Sequence, residues 1–82
     1  MAIAADERVA DVSFDDASLS VRLKDGRTIS VPLARYPRLL HANAEQRGNW
    51  KITVSGYGIH WPDLDEDIST EGLLRGGPPR PA

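Results

Sequence analysis

The sequence predicts an α+β domain: a small antiparallel sheet, built from an N-terminal three-stranded meander plus a second hairpin, with two or three short helices. Three observations point there. "VADVSFDDASLSVRLKDGRTISVPL" alternates apolar and polar residues, the period of half-buried strands. "WKITVSGYGIHW" repeats that alternation between two tryptophans. Between them, "LARYPRLLHANAEQRGN" carries proline and cap signals that start helices.

In the meander, one face collects Ala10, Val12 and Phe14, then Leu19, Val21 and Leu23, then Ile29 and Val31. The connections must keep them there, because a slip of one residue turns every side chain over. Pairing Phe14 with Leu19 leaves "DDAS" as a four-residue loop suited to a type I turn. A two-residue Asp25-Gly26 turn would set Val21 opposite Ser30 and put Ile29 on the wrong face. A three-residue loop, Lys24-Asp25-Gly26, pairs Val21 with Ile29 and Leu19 with Val31. It requires Gly26 in the left-handed conformation.

Pro32 ends the third strand. The residue before Pro37 is pushed off helical geometry, so Pro37 starts a helix with Leu39 and Leu40 toward the core. Asn43 and Gln46 form a capping box for a second short helix, which Gly48 ends. In the second hairpin a two-residue Ser55-Gly56 loop pairs Val54 with Tyr57, Ile52 with Ile59 and Trp50 with Trp61, all on one face. Pro62 stops that strand. "ISTEGLL" reads as a helix with Ser69 as N-cap, Glu71 in the first turn and Ile68 stapled onto Leu73. Residues 1–74 form the single domain, and the Gly- and Pro-rich 75–82 is a disordered tail.

Eighty-two residues suffice for one domain. A chain of this size buries only about 60–65% of its unfolded surface. With no cysteine to add disulfides or thiolate zinc sites, a homodimer is the remaining obvious reinforcement. The N-terminus lacks the basic start and apolar run of a signal peptide. No stretch reaches the roughly 20 apolar residues that cross a bilayer. These features place the chain in the cytoplasm and off the membrane. Its net charge of −2 and its single, acidic charge cluster argue against direct nucleic-acid binding.

That cluster lies in "GIHWPDLDEDISTEGLL", where a histidine and a tryptophan lead into Asp63, Asp65, Glu66 and Asp67. Asp63, Asp65 and Asp67 open like an EF-hand loop, but its sixth and twelfth positions fall on Ile68 and Leu74 rather than Gly and Glu. His60 with Asp63 supplies two metal ligands, too few to fix a geometry. Four carboxylates on one loop repel one another and stay hydrated, unlike a converging catalytic pair. No nucleophile elbow or phosphate-cradling glycine loop appears. The expectation is no enzyme, no catalytic residue, no metal and no cofactor. Two readings of the acids stay open: favourable charge before a helix N-terminus, or a docking edge for a basic protein. In the second reading His60, Trp61, Asp63, Asp65, Glu66 and Asp67 meet the partner, with Trp61 as anchor. The alternative is a small-molecule or metal-binding domain using the His60 and acidic-loop region.

"DGRTISVPLARYPRLLHANAEQRGNW" followed by "GYGIHWPDLDEDISTEGLL" resembles the bacterial domain-of-unknown-function family 2442, from about Val9 to Leu74. Arg35 departs from the aromatic residue expected there. The resemblance implies a small α+β domain with no established activity and no catalytic residues to carry over. Some relatives continue into a helix-turn-helix domain, and others are encoded beside a companion family suspected of toxin-like action. It therefore implies a regulatory or antitoxin-like module that binds a protein partner.

Overall fold

The structure, a computed structural model, describes residues 6–75. The first sheet holds β1 (Val9–Phe14), β2 (Ser18–Leu23) and β3 (Thr28–Pro32), antiparallel in that order. A 3₁₀ turn (Leu33–Arg35), α1 (Pro37–Leu40) and α2 (Ala44–Gly48) then lead to the second sheet. That sheet orders β4 (Lys51–Ile52), β5 (Gly58–Trp61) and β6 (Glu66–Ser69), and α3 (Thr70–Arg75) follows it directly. The domain is α+β, and the tail expected over 75–82 lies outside the described residues apart from Arg75 at the end of α3.

The meander has the register that side-chain parity demands. Phe14 pairs with Leu19, Leu19 with Val31 and Val21 with Ile29. Asp15 closes the first loop: its carboxylate accepts the Ala17 and Ser18 N–H groups at 2.9 and 2.7 Å. The second loop is Lys24-Asp25-Gly26, with Gly26 at φ +94. There Leu23 N–H donates to Arg27 C=O at 2.8 Å and Gly26 N–H donates to Leu23 C=O at 3.0 Å. One position departs from alternation. The register shifts between Val9 and Asp11, so Ala10 bulges out exposed while Val9 turns in and is buried. Val9 and Val12 are three apart and cannot share a face by strict alternation; the bulge lets both reach the core.

Pro37 occupies the first position of α1, and the Asn43–Gln46 capping box closes both ways, at 2.8 and 3.0 Å. Leu39 is buried, but Leu40 is exposed. In a helix of four residues, neighbours about 100° apart cannot both face inward.

The second sheet differs from expectation in three ways. Ile52 does pair with Ile59. The ladder, however, ends where Thr53 N–H donates to Gly58 C=O at 2.9 Å, so Val54 to Tyr57 form a four-residue loop. Gly56 takes φ +86, and Val54 and Tyr57 are exposed. Ser55 lacks glycine's ease at positive φ, which a two-residue turn would demand of it; its hydroxyl instead accepts the Tyr57 N–H at 3.2 Å. Trp50 precedes β4, and the ring that meets Trp61 is Phe14, edge-on at 6.3 Å between centroids. Finally, the acidic segment is itself partly a strand: β6 pairs with β5, so the second hairpin is a three-stranded sheet.

The core joins the two sheets. Leu19, Val21 and Leu23 of β2 lie with Leu33, Leu39, Ile59, Trp61, Ile68 and Leu73 in one buried cluster. The Trp61 Nε1–H donates to the Arg47 carbonyl at 3.0 Å, so the one polar atom of the indole is satisfied inside.

Candidate functional site at the edge of the second sheet

Pro62 to Asp65 turn the chain between β5 and β6, and Asp65 adopts φ +50, which an Asp tolerates better than most residues. The Arg38 guanidinium donates to the Asp65 carbonyl at 2.6 Å and ties this turn to α1. The Asn49 amide donates to the Asp63 carboxylate at 2.9 Å. The Asp67 N–H donates to the Glu66 carboxylate at 3.1 Å. Acidic side chains thus occupy the edge where another strand would otherwise add.

Across the sheet the Cα partners run Lys51, His60, Asp67, one from each strand. His60 Nδ1 lies 2.7 Å from Asp67 Oδ1. The imidazole N–H donates to the carboxylate, which leaves Nε2 directed elsewhere. Both side chains keep much of their surface in solvent, at 38% and 52% exposure, so the contact orients the ring without desolvating it. Among the described residues, no group of three or more His, Asp and Glu side chains is placed to hold a metal. Burial pushes the Tyr36 phenol up; nearby Arg35 opposes that shift and Glu66 adds to it.

The six candidate residues separate into two groups. Asp63, Asp65, Glu66 and Asp67 line the turn and β6, with His60 beside Asp67. Trp61 does not join them. Its exposure is 0%, and as folded it offers a partner no surface. The helix reading of the acids also changes. Of the acids so read, Asp65 sits before β6 and Glu66 and Asp67 lie within it, an extended strand of about 13 Å that carries them away from the start of α3, beyond the first turn where a helix terminus acts. Ser69 does cap α3, accepting the Gly72 N–H at 3.0 Å, and Glu71 is the acid of the first turn.

At the far end of β6 the sequence reading had singled out nothing for binding. There Glu7, Tyr57, Ser69, Thr70 and Glu71 line an open recess of about 330 Å³. Thr70 N–H donates to the Tyr57 carbonyl at 2.9 Å and fixes α3 against the loop. Recognising β6 as a strand is the signal that would have found this recess, since the pairing of Gly58 with Ser69 sets Tyr57 against Thr70.

The model of a family described as proteins of unknown function, DUF2442, matches residues 9–79. This chain belongs to the DUF2442 family. Solved structures agree. A protein of unknown function from Rhodospirillum rubrum is 35% identical with a TM-score of 0.71, over 84% of this chain and 86% of that one. An uncharacterized protein from Chromobacterium violaceum is 25% identical with a TM-score of 0.72, over 84% of this chain. The match spans only 65% of the Chromobacterium protein's length. No curated protein matches.

Proposed function

We propose that this DUF2442 domain is a non-enzymatic protein-recognition module whose acidic turn and β6 edge receive a basic partner. One observation carries the reading: Asp63, Asp65, Glu66 and Asp67 are concentrated on one turn and one edge strand, held from behind by Asn49, Arg38 and His60. A fixed array of like charges is electrostatically complementary to a basic surface and speeds its approach. The bonds that Asp63, Glu66 and Asp67 accept from Asn49, the Asp67 N–H and His60 are all exposed, so they do not account for four carboxylates in one place. In its regulatory form the module is antitoxin-like, covering a basic, toxin-like protein encoded beside it, as the family resemblance suggests.

The test is affinity capture from source-cell extract with the wild-type chain and with Asp63→Lys/Glu66→Lys. A basic partner retained by the wild type and lost by the variant, with the difference largest at low salt where surface charges act further, supports the reading. Equal capture by both removes the acidic edge from recognition.

A further inference from the structure

We infer that the recess at the end of β6 anchors an apolar side chain of the same basic partner, so that the bound segment runs along β6 from the acidic turn to Tyr57. The inference rests on the proposed recognition of a basic protein and adds the place where binding energy concentrates. Three observations meet there. Tyr57 is 49% exposed and Val54, in the same loop, is fully exposed, although a chain this short has few apolar side chains to spare for solvent. Tyrosine is also among the residues most enriched at interface hot spots. The surface beside it is concave and polar on its other walls, with Ser69, Thr70 and two carboxylates, Glu7 and Glu71. The guanidinium of Arg8 is held by Asp6 at 2.7 Å, and among the described residues Glu7 pairs with Arg27 at 3.6 Å, a guanidinium that binds Asp25 more closely, at 2.8 Å. Glu7 thus shares its cation with Asp25, which leaves part of its charge to an incoming one.

Continuity fixes the occupant. Asp67 and Ser69 lead along β6 from the acidic turn to Glu71, so carboxylates stand at both ends of a track about four residues long. A partner that satisfies both ends carries Lys or Arg spaced along an extended segment. The amphipathic wall of Tyr57 takes an aliphatic or aromatic side chain among them. Apolar contact alone would not select this end of the sheet, and charge alone would not need Tyr57.

Three capped octapeptides make the probe, each titrated into the ¹⁵N-labelled full chain: alternating Lys-Leu, alternating Lys-Ser and alternating Glu-Leu. The Lys-Leu peptide is expected to shift the amides of Tyr57, Ser69 and Glu71 together with those of Glu66 and Asp67. It should bind about tenfold or more tightly than Lys-Ser, while Glu-Leu should not bind. Tyr57→Ala and Glu71→Gln, both at exposed positions, should retain the wild-type melting temperature and lose that advantage. Equal affinity for Lys-Leu and Lys-Ser, with shifts confined to residues 62–67, would overturn the anchor yet sustain the acidic edge. Binding of Glu-Leu as tight as Lys-Leu, or no binding by any peptide, would overturn both.

Discussion

The two sheets are held by different means. The first contributes Val9, Val12, Leu19, Val21, Leu23 and Val31 to the buried core, spread over all three strands. The second contributes Ile59, Trp61 and Ile68, and β4 supplies no buried residue at all. In their place it relies on one large ring and on bonds to main-chain carbonyls at its ends: Arg38 to Asp65, and Thr70 to Tyr57. A broad apolar face makes a rigid platform. A sheet anchored by Trp61 and two isoleucines leaves Lys51, Ile52, Asp67 and Ser69 exposed, available for recognition.

The sharpest way to break this comparison is Trp61→Ala. The ring is wholly buried, meets Phe14 edge-on and satisfies the Arg47 carbonyl. Its removal should cost about 3–5 kcal/mol, a large share of what so small a domain possesses. Urea unfolding would show it, and a loss under about 1 kcal/mol would mean that the second sheet does not hang on that ring.

Turn geometry gives the next effects. An added Cβ at Gly26 meets nothing within 4 Å, so Gly26→Ala isolates backbone strain and should cost roughly 1 kcal/mol. Ser69→Ala removes the cap of α3 and should cost about 1 kcal/mol. Asp65→Gly runs the other way. It relieves a positive φ and keeps the carbonyl that accepts from Arg38, so it should stabilise by about 0.5 kcal/mol. A destabilised Asp65→Gly would give the carboxylate a structural duty that the geometry does not show.

The smallest expected effect is local and acid-dependent. Hydrogen bonding from Arg8 holds the Asp6 carboxyl at about 2, and Arg27 lowers that of Asp25. Both are depressed, so the stability they lend is present above the unfolded carboxylate range, near about 3.9, and is lost as pH falls through the folded values. The Asp25 carboxylate also accepts the Asp6 N–H at 3.2 Å, and with the Asp25 N–H donating to the Asp6 carbonyl at 3.2 Å this clips the segment before β1 to the β2–β3 loop. In an NMR titration the Asp6 and Asp25 amides should move toward disordered positions below pH about 3, while Leu19 and Val21 stay in place. Simultaneous collapse of all four would show that the clip and the platform are one unit.

The first sheet was legible because its strands have one apolar face, and parity alone excluded the two-residue turn at Gly26. The Ala10 bulge was hidden because alternation over Ala10, Val12 and Phe14 already looked complete, and only the need to bury Val9 displaces it. In the second sheet parity found the pairing of Ile52 with Ile59 but could not tell a two-residue loop from a four-residue one, which leave the same register. β6 was missed because "EDIS" offers one apolar residue, Ile68, among charges that look like loop. With β6 unseen, the contact of His60 with Asp67 and the bond of Thr70 to Tyr57 were out of reach. Trp61 was placed correctly on the core face by its alternation, which weighed against its use as a surface anchor.

The central claim is that the acids of the second sheet recognise and do not stabilise. Asp63→Lys/Glu66→Lys tests it most directly, by thermal melting and partner capture on the same preparation. The account predicts a melting temperature within about 3 °C of wild type, since exposed charges contribute little to stability, together with loss of a basic partner at low salt. A variant that unfolds, or one that melts normally and captures that partner as well as wild type, would contradict it.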